Sequence, residues 1–377
     1  MFFSRGGSET VKCGVVLAAA LVAILSLGSI AAADLRISPE MELLAGVLTQ
    51  TSWMDNRGPQ GPGNEYFRAL KAFFAGYKEH KAVAIAEEFS KTGFTFDAPP
   101  AFICHLGPLP GLELAYEYSD YLIGRAGGRE KLEEFRLALI GLARESNFLE
   151  FFAQWEPYLD ESLAPSREGF REDVLTEWLQ EFFGWSAGEF HLIMAPSMFP
   201  GGGYGANATD QDGRMVVFQI IRENGSSTDR PEFPTSTNLE LLTIHELGHS
   251  FVNPSLEAYP ERAKAVKPLM WPVREIMKQQ AYPTVSIFLN EQVLRGVEVI
   301  AARELYGPEM EAWVIANNEE WGFYLTRFVA EQLQFYQANR DVYPTFREFV
   351  PHLFDQLEAY QAEHSRWDAR LFGRFLR

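Results

Sequence analysis

Cysteine is almost missing from this sequence: 377 residues carry two, Cys13 and Cys104. Two thiols cannot build a disulfide framework or a cysteine-rich metal centre, so any metal must be held by histidine and carboxylate. Basic residues are scarce too. Lysine plus arginine number 33 against 51 aspartates and glutamates, and the formal charge of −18 argues against a phosphate-backbone partner. No nucleic-acid partner is expected. Past Ala33 there is also no apolar run long enough to cross a membrane. What the chain does have is 47% apolar and 14% aromatic side chains, enough for a sizeable core and too hydrophobic for a disordered protein.

The first 33 residues read as an export signal. Arg5 and Lys12 form a weakly basic start, Gly14 to Leu25 is apolar, and Ala31-Ala32-Ala33 before Asp34 is a small-residue cleavage site. The mature chain is then expected in the periplasm or outside the cell. An uncleaved anchor helix is the alternative, since apolar residues run almost unbroken to Ala33. Cleavage removes Arg5, Lys12 and Glu9, a net +1, leaving −19, and it removes Cys13, leaving Cys104 alone.

Residues 34–185 carry a helical pattern. Ser38 is a cap before Pro39 at the first helical position. Tyr66–Tyr77, Ala82–Phe89, Arg129–Ala143 and Glu168–Phe183 repeat apolar residues at spacings of three and four. After Trp185 the texture changes. Phe190–Ala195 and Met215–Ile221 read as strands, with the glycine-rich Pro200–Gly205 between them as a hairpin connection or, alternatively, a flap over substrate. A long helix is predicted after Pro283, ending at Gly307-Pro308, and helices with breaks at Pro344 and Pro351 follow. The expected fold is mostly α with a small β-sheet. It comprises a helical region (34–185), a metal-bearing core (186–307) and a helical C-terminal region (308–377), able to pack as one unit.

The segment Thr237 to Phe251 reads TNLELLTIHELGHSF. Thr237 and Glu240 have capping-box spacing, so a helix should begin here. Within it, His245-Glu246-Leu247-Gly248-His249 is an HExxH pattern. Histidines four apart share one helix face and can reach one zinc ion, while Glu246 stands where a general base is needed. The flanking Thr243, Leu247, Gly248, Ser250 and Phe251 are uncharged, as a buried metal-bearing helix requires.

A third ligand is needed, and Val252 and Ser255 stand where an extended HExxHxxGxxH pattern would place glycine and histidine. Glu291, in FLNEQVLR on the helix after Pro283, is the foremost donor, 42 residues beyond His249, which requires an inserted helix around Arg262–Gln280. Glu298, seven residues on, is the alternative ligand, or else orients a ligand histidine or pairs with a cation. Glu319 and Glu320 follow Asn317-Asn318 but come after the helix break. The HExxH segment with Asn290-Glu291 resembles the gluzincin branch of zinc metallopeptidases, which implies a zincin-like α+β core and a glutamate completing the site. Arg295 stands where those enzymes carry an aspartate. The segments Ile37–Leu44, HELGHSFVNP and LNEQVLR together resemble a family of exported bacterial proteins known as a domain of unknown function.

The expected function is a zinc-dependent hydrolase, a peptidase acting on a peptide or protein. His245, His249 and Glu291 hold the zinc, and Glu246 deprotonates its water and returns the proton to the leaving amine. The strand Met215–Ile221 could present its edge to an extended peptide. Tyr204, Tyr282, Tyr306 and His191 are unranked oxyanion donors, and Arg295 either supports that charge or pairs with Glu291 or Glu298. The alternatives are amide or ester hydrolysis on a non-peptide substrate, and a non-enzymatic envelope protein whose HExxH helix serves packing or binding.

Overall fold

Ser38 and Pro39 start the first helix as their chemistry dictates, Ser38 Oγ accepting the Met41 N–H at 3.3 Å. The computed structural model describes residues 35–55, 63–198, 202–224 and 229–364. The expected signal peptide lies outside the described residues. Helices of ten residues or more are numbered here. α1 (Pro39–Leu48), α2 (Glu65–Phe74), α3 (Lys81–Thr92) and α4 (Arg129–Glu145) follow the sequence periodicity closely. α5 (Phe148–Arg167) was hidden by Pro157 and Pro165, both on its exposed side, while Phe148, Phe152, Leu159 and Leu163 are buried. α6 (Glu172–Phe183) starts four residues later than the pattern suggests.

Three strands follow: β1 (Glu189–Ala195), β2 (Gly203–Thr209) and β3 (Met215–Arg222), in the order β1-β3-β2. β1 and β3 pair in parallel, Glu189 opposite Val216, so no hairpin joins them directly. The glycine-rich stretch instead leads into β2, which runs antiparallel to β3 with Gly203 opposite Ile221. β3 is therefore central, and the edge expected of Met215–Ile221 belongs to β2.

The sheet separates two cores. Ile193, Ala195, Ala206, Ala208, Val216, Phe218 and Ile220 face α1–α5, while Phe190, Leu192, Met194, Val217 and Ile221 face the later helices. Strand alternation produces this division directly. All described residues belong to one compact unit.

Beyond the sheet, α7 (Ser236–Glu257) carries the HExxH segment and α8 (Val285–Tyr306) packs across it. The capping box does not form. Thr235 is the cap residue, without a side-chain bond, and Glu240 is drawn instead to Arg171, which donates from its backbone N, Nε and Nη2 at 3.0, 3.0 and 2.7 Å. The single helix expected around Arg262–Gln280 is three short pieces, with Pro268 and Pro272 in the middle one. α9 (Pro308–Glu320), α10 (Thr326–Ala338) and α11 (Phe346–His364) complete the fold, and Pro351 lies inside α11 rather than ending a helix. No helix among the described residues is long and apolar enough to cross a membrane.

Candidate metal centre

α7 reaches the sheet closely enough to exclude side chains from the strand it touches. A Cβ on Gly205 would overlap the Glu246 carbonyl oxygen and lie 3.0 Å from His249 Cβ, and one on Gly203 would overlap the Glu246 carboxylate. Ser250 Oγ fixes the approach by donating to the Ala206 carbonyl at 3.2 Å. On the other side Gly248 admits α8, since a Cβ there would sit 2.7 Å from Leu294 Cδ2. The glycine-rich segment thus serves a tertiary purpose, opening room for a polar helix between sheet and α8.

In that gap His245 and His249 stand on one face of α7, ring centroids 4.8 Å apart and planes at 86°. Glu291 reaches both from α8, with Oε2 3.6 Å from His245 Nε2 and Oε1 3.5 Å from His249 Nε2. Donors around a tetrahedral zinc at 2.0–2.1 Å stand about 3.3 Å apart, so these separations suit one ion. All three donor atoms lie within 4.8 Å of one another. Glu291 Oε2 is buried with no hydrogen-bond partner, which leaves it able to serve as a metal donor. Two neutral imidazole nitrogens with one carboxylate match zinc in chemistry as well as distance.

The remaining faces of both rings are occupied. His245 Nδ1 lies 2.8 Å from Glu298 Oε1, and His249 Nδ1 is 3.1 Å from Asn253 Oδ1, so the Nε2 atoms are turned toward Glu291. Glu298 therefore stands behind His245 and Glu291 in front of it. Arg295 donates to Glu298 Oε1 at 2.7 Å and reaches within 3.7 Å of Glu291 Oε2, while Asn318 Nδ2 donates to Glu298 Oε2 at 3.1 Å. Asn253 and Asn318 escaped the sequence reading. Asn253 sits four residues after His249 and was readable from helix spacing, whereas Asn318 comes from α9 across a helix break. Glu319 is instead paired with Arg327 at 2.6 Å.

Burial works on Glu246, His245, His249 and Glu298. It pushes the Glu246 carboxyl up to about 7, with His245 pulling it down and Glu291 raising it further. It lowers His249 to about 4, leaving that ring neutral as a ligand must be. Burial and Arg295 push His245 down, yet Glu291 and Glu298 outweigh them and hold it above the usual imidazole range. Against its own burial, Glu298 is held at about 2 by Arg295, His245 and Asn318. Three carboxylates, Glu246, Glu291 and Glu298, share this buried pocket with one guanidinium, Arg295, an arrangement that favours a further cation.

Of the four residues weighed as oxyanion donors, Tyr306 donates to Glu240 and His191 stacks on Phe218 at 4.8 Å on the far face of the sheet. Tyr204 packs against that same far core. Tyr282 is the one placed beside the cluster, its hydroxyl pushed above the ordinary phenol range by burial and by Glu291. Ala281, at φ 67°, turns the chain at the end of the preceding short helix, where Tyr282 N–H bonds Met277 O at 2.7 Å, a left-handed cap usually given to glycine. Tyr282 also lies against Phe323, 6.1 Å between rings.

No curated protein and no solved structure matches the chain. A family described as a domain of unknown function, DUF4932, matches residues 60–355 and so spans the whole cluster, although Ile37–Leu44 falls outside the match. On the extent of that match, the chain belongs to the DUF4932 family.

Proposed function

We propose that this chain is an exported zinc-dependent hydrolase, a metallopeptidase of zincin-like, gluzincin-like organisation. The observation that carries the proposal is the convergence of His245 Nε2, His249 Nε2 and the Glu291 carboxylate, whose Oε2 has no hydrogen-bond partner, with Glu246 buried beside them. When bound there, zinc supplies Lewis acidity that polarises a carbonyl and activates water near neutral pH.

The protein groups have separable tasks. Glu246, poised near neutrality, takes a proton from water at the cluster and delivers it to the leaving amine. Tyr282, buried beside Glu291 and Arg295, is placed to serve charge developing on the carbonyl oxygen. Glu298 and Asn253 hold the imidazoles by Nδ1. Among the described strands β2 pairs only with β3, so its outer edge can take an extended peptide by main-chain hydrogen bonds. Export rests on the N-terminal sequence alone.

The test is metal analysis joined to turnover. Protein purified without added metal is expected to hold one zinc per chain and to cleave members of a peptide library. Glu246→Gln should keep that zinc while losing at least about a hundredfold in rate. Full activity in Glu246→Gln, or a wild type that carries no zinc after gentle purification, overturns the proposal. Zinc with cleavage of only non-peptide amides or esters reassigns the substrate.

A further inference from the structure

The reaction proposed above uses Glu246, Tyr282 and three ligands, and leaves unexplained a second group of buried charge behind them. At its centre is Arg295, whose side chain is 21% exposed and whose guanidinium lies 4.7 Å over the Phe323 ring. Its Nη1 donates to Glu298 Oε1 at 2.7 Å, and that same oxygen lies 2.8 Å from His245 Nδ1. Its Nη2 reaches within 3.7 Å of Glu291 Oε2. One cation therefore touches the carboxylate that orients the first ligand and the carboxylate that serves as the third. Helix geometry makes this possible, since Glu291, Arg295 and Glu298 stand at i−4, i and i+3 along one face of α8.

We infer that Arg295 is a positioning residue that sets the geometry of the metal site from both ends, pinning Glu298 against His245 and Glu291 toward the two imidazoles. The inference rests on the metal reading above. A pinned Glu298 with Oε1 2.8 Å from His245 Nδ1 favours the proton on that nitrogen, which leaves the Nε2 lone pair facing the ion. The planar guanidinium suits two carboxylates in different directions, a task that a lysine ammonium performs only in part. With the cation gone, Glu298 and Glu291 would face each other across two helical turns and the His245 ring would lose its fixed tilt.

The experiment compares zinc affinity, by competition with a chromogenic chelator, and the visible spectrum of the cobalt-substituted full chain. Arg295→Met is expected to weaken zinc by about 10- to 100-fold and to change the cobalt bands. Arg295→Lys should recover part of both, a rescue that simple space-filling would not give. If Arg295→Met does not fold, Arg295→Met with Glu298→Gln removes both charges, and the same loss is expected from it. Folded variants with wild-type zinc affinity and an unchanged cobalt spectrum overturn the inference while the metal reading stands. A wild type that takes up no zinc overturns both.

Discussion

Glu42 and Glu298 are two glutamates almost without solvent contact, on opposite faces of one sheet, and their surroundings drive them in opposite directions. Glu42 sits on α1 in the first core, where burial pushes its carboxyl up to about 8 and only Ser197 and Tyr66 pull against it. It therefore keeps its proton at neutral pH. Glu298 is as deeply placed, but Arg295, His245 and Asn318 converge on it and hold it at about 2. Burial alone thus makes a neutral acid in an apolar core. A site arises where several elements bring charges and donors to the same point, as α7, α8 and α9 do. The proposed metal cluster lies on the second side.

The largest effect expected from breaking this contrast belongs to Glu42. Burial raises its folded value from the ordinary 4.5 to about 8, so the folded state holds the proton that the unfolded state releases between pH 4.5 and 8. Stability should fall with rising pH across that window, by about 5 kcal/mol in all, and level off above it. Glu42→Gln removes the slope. The variant should match the wild type near pH 4.5 and exceed it increasingly up to pH 8 in urea unfolding. Parallel curves for the two proteins would refute the assignment.

Glu298 gives the mirror image on the acid side. Its folded value is below the unfolded one, so its stabilisation is present above pH 4.5 and disappears as pH falls toward 2. In metal-free protein, Glu298→Gln should cost about 3 kcal/mol near neutrality, with the gap from the wild type closing as pH drops through that range. A gap that stays constant with pH would mean that shape, not charge, is what Glu298 contributes.

How much of this contrast was readable beforehand differs by element. His245, Glu246 and His249 were legible because a helix fixes the i, i+4 face by itself, and Glu291 because a second helix pattern carried it. Which glutamate faced which nitrogen was not. Glu291 and Glu298 share one face of α8, and the choice depends on how α8 seats on α7, where Gly248 meets Leu294. Glu240 had the spacing of a cap but found Arg171, 69 residues away, a tertiary competitor invisible to local pattern. α5 was concealed by two prolines that the exposed side tolerates. β2 was missed because Gly-Tyr-Gly-Ala-Asn-Ala-Thr is mostly glycine and alanine and has a single β-branched residue, Thr209, at its end.

That composition of β2 supplies the smallest prediction, and it tests the two faces of the sheet against each other within a single strand. Ala206 and Ala208 point into the first core and are buried there as side chains. Gly205, one residue before Ala206 and so on the opposite face of the strand, points at α7, where an added methyl meets the Glu246 carbonyl, a backbone atom that cannot step aside without moving the helix. Gly205→Ala should therefore cost about 1–3 kcal/mol, lowering the urea midpoint, and displace Glu246 from His245, His249 and Glu291, which would lower the proposed turnover. Gly248→Ala adds the same methyl against Leu294 Cδ2, the end of a side chain that can rotate, so its cost should be smaller. Equal losses in the two variants would mean that the sheet and α7 are free to separate. The close approach that places Glu246 would then not be what the glycines provide.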